Sequence, residues 1–516
     1  MAIDLAGGPH VAYGNVGDST QKPTRPARDV VLLTALALGY RLAFLIAMPR
    51  VVDSADAIHY IGVANTFASG SFRGFDLSIP ILYPALCALA RLVVHDTETA
   101  CRVVSLVAST ALPAAVYLLV RAMHGRTVAL LAGLTVSIWP WLADYGCRIA
   151  PEALATTLWF LSVYALARGL REGKWWVAAA ALLFFTLHLA RPEGTFLLLA
   201  APVGGVILCA GGPHKRNLLR LIPIVAISAV LLAGYVVFMR EATGLAALNP
   251  RMRVPTDTLR HVFILRGEET LRTALSTWSE TLPIMLGPYL LLFAGLGMFG
   301  ASDRPRDVRL ELVVAFYGLV QWGAAIASTY PEPRYLMPTV VAVSLWSARG
   351  LVMAADAARA LDRGRWLRHA PVGGLIAMML AGTLVTVLPE HLGRVPRMPR
   401  EYKRAGLWMK ENLAKGLVLT RKPQVGFYAD MPTTGPAIED TVSDAVARAR
   451  RVGARYLVVD ERYTATMVPG LAPLLDPANA PPGLRMVRED LSPYPEARIV
   501  VYEVVGSEDE EQHPAP

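Results

Sequence analysis

The chain has 516 residues, 54% of them hydrophobic and 18% charged, with a formal net charge of +9. Soluble globular chains carry about 25% charged residues, so this shortfall, with a mean hydropathy of +0.41, excludes an ordinary water-soluble fold for most of the length. The excess of base does not point to nucleic acid either, because it falls in short clusters between apolar segments, the pattern that the positive-inside rule produces.

Residues 1–28 are polar, rich in Gly, Pro and Thr, and end in Lys22, Arg25 and Arg28; they read as a disordered cytoplasmic tail. The apolar run near 30–48 is long enough to cross a bilayer, which takes about 20 residues. A signal peptide cleaved near Ser54-Ala55-Asp56-Ala57 is the rival, but the run is longer than a signal's apolar stretch and further spans follow. Further apolar runs lie near 103–122, 127–144, 152–169, 175–190, 195–211, 219–239, 283–301, 309–328, 335–355 and 371–388.

Alternate connections carry Arg121/His124/Arg126, Arg168/Arg171/Lys174, His214/Lys215/Arg216/Arg220, Arg304/Arg306/Arg309 and Arg363/Arg365/Arg368. All fall on the side of the N-terminal tail, which orients the N-terminus to the cytoplasm. About eleven spans then put the C-terminus outside. Residues 29–389 are thus expected to form a polytopic helical bundle with long outer loops at 50–102 and 241–281. The first reads as amphipathic helices on the membrane face. The second mixes Arg251, Arg253, Arg260, Arg266 and Arg272 with Glu268, Glu269 and Glu280, either to meet a phosphate or as a solvated helix face.

Beyond Pro389 the composition turns polar. Helices are expected over Glu401–Leu413 and Asp440–Val452, and strands over Leu417–Thr420, Gln424–Tyr428, Tyr456–Asp460 and Arg498–Glu503. Alternating helix and strand signals predict a small soluble α/β domain over 390–506, followed by an acidic tail at 507–516. Cys87, Cys101, Cys147 and Cys209 are too scattered for a disulfide framework or a metal site and read as small apolar residues.

Chemistry-bearing residues gather at the outer ends of the spans. Asp53, Asp56, His59 and Tyr60 follow the first. Asp56 and Tyr60 are four apart and share a helix face. A carboxylate there serves as a general base or as a helix cap. Arg148 and Glu152 lie between the third and fourth spans, His188, Arg191 and Glu193 between the fifth and sixth, and Glu332, Arg334 and Tyr335 before the tenth. Arg41 lies within the first. Charges at membrane depth mark functional sites by default, and guanidinium groups suit phosphate oxygens; the bland alternative for each is a local ion pair such as Arg191–Glu193. His59 and His188 match no standard metal spacing. Asp460-Glu461 reads as a turn.

Taken in order, these pieces resemble the GT-C glycosyltransferases, specifically the bacterial group similar to dolichyl-phosphate-mannose protein mannosyltransferases and lipid A aminoarabinose transferases. The resemblance rests on Asp56, Tyr60 and Ala64 after the first span, Tyr83-Pro84 ahead of Ala100-Cys101-Arg102-Val103-Val104-Ser105, the turn Arg191-Pro192-Glu193-Gly194, and Arg334-Tyr335-Leu336-Met337-Pro338. It covers about residues 1–390. It implies inverting transfer of a sugar from a polyprenyl-phosphate donor to a hydroxyl of a lipid, glycan or protein acceptor, in the bacterial plasma membrane. Asp56 would be the base, and Arg191 and Arg334 would steady the leaving phosphate; His59, Tyr60, Arg148, Glu152, His188, Glu193 and Tyr335 complete the expected substrate site. Many members carry Asp-Glu at the base position, whereas Ala57 follows Asp56 here, which leaves the role open between Asp56 and Asp53. No Gly-rich nucleotide loop occurs, as a lipid-linked donor requires none. Some GT-C enzymes use a divalent cation; no ligand set here compels one. The rival readings are a transporter or lipid flippase, and a scaffold whose C-terminal domain does the work.

Overall fold

The computed structural model describes residues 26–73, 79–210, 213–244, 267–302, 304–326, 332–361, 398–490 and 498–505, with isolated positions at 246, 381, 385 and 393. It is mainly helical with one small sheet. The helices of the first part are α1 (Pro26–Ala47), α2 (Ala55–Ala68), α3 (Leu82–Ala90), α4 (Thr97–His124), α5 (Arg126–Ile138), α6 (Pro140–Cys147), α7 (Glu152–Glu172), α8 (Trp175–Ala190), α9 (Glu193–Cys209), α10 (Leu221–Thr243), α11 (Gly267–Phe299), α12 (Val308–Ile326) and α13 (Met337–Leu361). Among the described residues six of them, α1, α4, α7, α10, α12 and α13, are long and apolar enough to cross a membrane. The pair α5–α6, bent by 54°, makes a seventh, and α8, α9 and the end of α11 are shorter apolar helices. Ten of the expected apolar runs therefore fall on helices; the run at 371–388 and most of the expected loop 241–266 lie outside the described residues. The last part of the expected second outer loop, from Gly267, is the polar start of α11, where nothing in the sequence breaks a helix.

The bend between α5 and α6 has a local cause. Pro140 has no N–H, so the carbonyl of Val136 loses its partner. Arg41 fills the gap from α1: its Nη2 donates to Val136 O at 3.3 Å and its Nη1 to Ser137 O at 2.7 Å. Its Nε also donates to Ser109 Oγ on α4. Gly146 on α6 permits this approach, since a Cβ there would stand 2.2 Å from Ser109 Oγ. Arg41, expected as a functional charge, is a structural cap on a broken span.

The C-terminal part comprises α14 (Arg400–Asn412), β1 (Leu417–Thr420), α15 (Gln424–Ala429), β2 (Thr433–Thr434), α16 (Val442–Val452), β3 (Ala454–Asp460), α17 (Glu461–Met467), β4 (Leu484–Asp490) and β5 (Ile499–Val504). The sheet order is β2-β1-β3-β5-β4. The first three strands run parallel, and β5 is antiparallel to both β3 and β4. Alternate residues feed two cores. Leu419, Leu457, Val459, Val500 and Tyr502 pack with Ala445 and Ala449 of α16, while Val418, Tyr456, Val458, Ile499 and Val501 pack with Tyr402, Ala405 and Met409 of α14. Helices on both faces explain why β3 and β5 read as unbroken apolar runs.

Two expectations fail here. Gln424–Tyr428 is helix, not strand: it starts after Pro423 and stops at Asp430, whose φ is +55, and the two-residue β2 takes the place beside β1. The edge strand β4 was missed because Arg485, Arg488 and Glu489 make it read as polar; such charges blunt an edge against aggregation. Asp460 caps α17, accepting from Tyr463 N at 2.9 Å and from Tyr402 Oη at 3.0 Å, and burial raises its carboxyl above the usual range.

Replacing Arg41 by Met should lower the thermal unfolding midpoint of the detergent-solubilised protein. Stranding the two carbonyls at the break costs about 2 kcal/mol or more; an unchanged midpoint would show that the break is satisfied without Arg41.

Candidate active site

The site is built by short turns at one end of the bundle. Ser54 caps α2, accepting from Ala57 N at 3.2 Å, and this sets Asp56 in the first turn with Tyr60 one turn on. Pro151 precedes Glu152 at the start of α7. Between α8 and α9, Arg191 is extended and Pro192 restarts the helix at Glu193. Gly194 is needed there, because a Cβ would stand 2.3 Å from Leu187 O. Arg334 and Tyr335 sit on the 3₁₀ turn Pro333–Leu336 that leads into α13. In three of these four turns a proline adjoins the charge, fixing it where a helix begins.

The turns converge on one charge network. Arg334 Nη2 donates to Asp56 Oδ2 at 2.6 Å. Its Nε stands 2.6 Å from Glu332 Oε2 and 3.6 Å from Glu152 Oε1. The same Glu152 oxygen accepts from Arg191 Nη1 at 2.5 Å. Arg191 also forms a two-pronged bond to Glu193, 3.0 Å on each prong. Glu152 is 2% exposed and therefore bridges two guanidiniums away from bulk water; its Oε2 has no hydrogen-bond partner among the described residues. The ring of Tyr335 lies 4.9 Å from the Arg191 guanidinium and 5.5 Å from that of Arg334, a cation–π arrangement that holds both in place.

Two adjoining pockets share Glu152, Arg191, Arg334 and Tyr335. One is completed by Asp56, Tyr60, Pro80, Pro151 and Pro192. The other reaches inward past Glu193 to Thr156, Trp159 and Gln321. The charged groups lie at the mouth, and Ala155, Trp159, Leu187 and Pro338 lie among the lining of the inner pocket.

Most of the expected site residues meet here: Asp56, Tyr60, Glu152, Arg191, Glu193, Arg334 and Tyr335. Asp53 and Arg148 do not line either pocket. Arg148 donates to Asp53 at 3.0 Å and grips Asp144 through two bonds of 3.0 and 2.8 Å. Burial alone would lower its pKa, but the Asp144 and Asp53 carboxylates outweigh it and raise it. His188 is buried away from the pockets, with Nδ1 2.8 Å from Thr195 Oγ1 and its ring edge-on to Tyr235. His59 is on the exposed face of α2. Gln321, Thr156 and Trp159 were not foreseen: one amide or hydroxyl in an apolar run carries no signal of its own. The prolines were the readable clue to the rest.

Two further sequence pieces turn out to touch. Tyr83 donates to Cys101 O at 2.9 Å and lies 2.8 Å from Ser105 Oγ, tying the Tyr-Pro element of α3 to α4, and its ring meets Tyr60 edge-on at 5.3 Å. Among the described residues no group of three or more His, Cys, Asp or Glu side chains stands placed to hold a metal ion.

Residues 78–239 match the family model described as dolichyl-phosphate-mannose-protein mannosyltransferase. No curated protein sequence matches the chain. Among solved structures, ArnT from Cupriavidus metallidurans bound to undecaprenyl phosphate is similar with a TM-score of 0.59 and 14% identity, over 93% of this chain and 98% of that one. The archaeal oligosaccharyltransferase AglB from Archaeoglobus fulgidus, in complex with an inhibitory peptide and a dolichol-phosphate, gives 0.56 and 12% over 87% and 72%. Arabinofuranosyltransferase AftD from Mycobacteria gives 0.53 and 14% over 93% and 40%. The chain has the GT-C membrane fold, and family match and fold together support a glycosyltransferase.

Replacing Glu152 by Ala leaves two neighbouring guanidiniums without their shared counter-ion. Breaking a buried pair in this way costs about 3–5 kcal/mol; the expected result is a lower unfolding midpoint than for Arg148→Ala, because the Arg148 side chain is itself more open to water than that of Glu152.

Proposed function

We propose that this protein is an inverting membrane glycosyltransferase that moves a sugar from a polyprenyl-phosphate donor to an acceptor hydroxyl, with Asp56 as general base. The observation that carries this reading is the Arg334–Asp56 ion pair, joined through Glu152 to Arg191 in one pocket.

The chemistry follows from the charges. Asp56 takes the proton of the acceptor hydroxyl as its oxygen attacks the anomeric carbon. The bond from that carbon to the phosphate oxygen breaks, and its electron pair leaves with the lipid phosphate. One displacement inverts the sugar. Arg191 and Arg334 meet the growing negative charge, as preorganised donors do in a site that excludes water. Two guanidiniums face four carboxylates here, Asp56, Glu152, Glu193 and Glu332, so the donor phosphate competes for Arg334. Its arrival draws Arg334 off Asp56 and frees that carboxylate to act as base. Glu152 Oε2 is left to accept from a sugar hydroxyl. Asp53 is the weaker candidate for base, being held by Arg148 outside both pockets.

About eleven spans, with the N-terminus cytoplasmic and the site and the α/β domain on the outer side of a bacterial plasma membrane, agree with the positions of the basic clusters. Arg126 pairs with Asp29, Arg306 with Glu311 and Arg304 with Asp356, joining connections at the end of the bundle opposite Asp56. A transporter would use paired broken helices. Among the described residues one span is broken, and Arg41 takes its freed carbonyls.

With purified protein and a polyprenyl-phosphate sugar, Asp56→Asn should lower turnover by about 10²–10⁴-fold, the share a positioned base supplies, while Asp53→Asn retains most of it. Arg334→Ala should cost about 10²-fold or more. Full turnover in Asp56→Asn would remove it as base and the reading with it.

A further inference from the structure

The α/β domain touches the membrane part at the point from which the loop bearing Asp56 departs. Three consecutive residues after α1 have their backbone groups held from outside the loop. Arg50 O accepts from Lys403 Nζ of α14 at 2.7 Å. Val51 O accepts from Arg102 Nη2 of α4 at 2.5 Å. Val52 N–H donates to Tyr428 Oη of α15 at 2.7 Å. Two of the three partners belong to the C-terminal domain.

Glu98 at the start of α4 ties these partners together. It accepts from Arg102 at 3.1 Å and from Tyr428 Oη at 3.3 Å, and Lys403 Nζ lies 3.6 Å away. Lys403 also stands 5.0 Å over the Tyr428 ring. Tyr428 is 8% exposed and packs in the apolar cluster that contains Val52, Tyr60 and Tyr83. Burial and the nearby Glu98 carboxylate push its hydroxyl above the usual range, so it stays protonated and can donate to Glu98 while accepting from Val52. Beyond Val52 the chain has one ion pair, Asp53 with Arg148, before Ser54 caps α2. Asp56 is four residues from the tyrosine's grip.

From this juxtaposition we propose that Tyr428 is a positioning residue: its hydroxyl fixes the Val52 peptide and thereby the approach of α2 and Asp56 to Arg334, so that the C-terminal domain braces the reactive loop. The inference rests on the reading of Asp56 as base, and a shift of about 1 Å in such a group costs about 10²-fold in rate. The brace is local. Tyr428→Phe keeps the ring, its packing and its cation–π contact and removes only the hydroxyl.

The test uses the full-length protein and two readouts. In Tyr428→Phe the amides of residues 52–57 should exchange hydrogen faster by about fivefold or more, the value of one lost hydrogen bond of about 1 kcal/mol. Turnover should fall about 10–10²-fold while the KM for the polyprenyl-phosphate donor does not rise, since the arginines that meet the phosphate are kept and Asp56 competes no more strongly for Arg334. Tyr456→Phe serves as control, because it removes a hydroxyl bonded to Ala414 O at 2.9 Å within the same domain; it should leave both readouts unchanged. Wild-type exchange and turnover in Tyr428→Phe, with Asp56→Asn inactive, would overturn the brace and leave the base intact. Should Asp56→Asn be active instead, the base reading falls, and the exchange rates alone decide whether Tyr428 holds the loop. An equal loss in Tyr456→Phe would reduce the effect to general stability and also overturn the proposal.

Discussion

Glu152 is the residue on which the site depends. Two guanidiniums within one pocket repel, and both are largely withdrawn from water. A single carboxylate oxygen between them offsets the repulsion, and Glu193, Glu332 and Asp56 add negative charge at 3.0 Å or less. Buried ion networks are seldom the most stable choice for a fold, since desolvation offsets most of the attraction. Their persistence at this end of the bundle agrees with the proposal that a ligand's own charge enters the exchange.

The means of building the network is economical in sequence. The acids Asp56, Glu152 and Glu193 stand in first turns of helices, where the backbone N–H groups favour an acid, and a proline precedes the last two. The membrane part can therefore remain a stack of apolar helices while short turns such as Arg191-Pro192-Glu193-Gly194 carry the polar chemistry. Arg41 shows the limit of reading intramembrane charge as function: its guanidinium meets carbonyls that Pro140 released, and it lies in the interior of the bundle, not in either pocket.

The α/β domain is more than an appendage in this arrangement. It has a core on each face of its sheet, and α15, misread as a strand, is the element that delivers Phe427 and Tyr428 to the first loop. The error came from β-branched and aromatic content in QVGFY; the tertiary role of that segment is a docking surface, for which aromatic residues serve on either type of backbone.

The sequence by itself determined the membrane class, the positions of ten apolar helices, the α/β character of the C-terminal part and most residues of the site, because hydropathy, charge clusters and helix-starting prolines are local properties. Seven of the expected site residues lie together for that reason, each being the polar exception at the end of an apolar run. Only the tertiary structure shows which guanidinium each aspartate meets, Arg334 for Asp56 and Arg148 for Asp53. It likewise decided that His188 is a core residue bonded to Thr195, that Gln321 and Trp159 reach the pocket, and that Tyr428 grips a peptide 376 residues away. Partners so distant in sequence leave no periodic trace in it, and their pairing is set by how the helices pack.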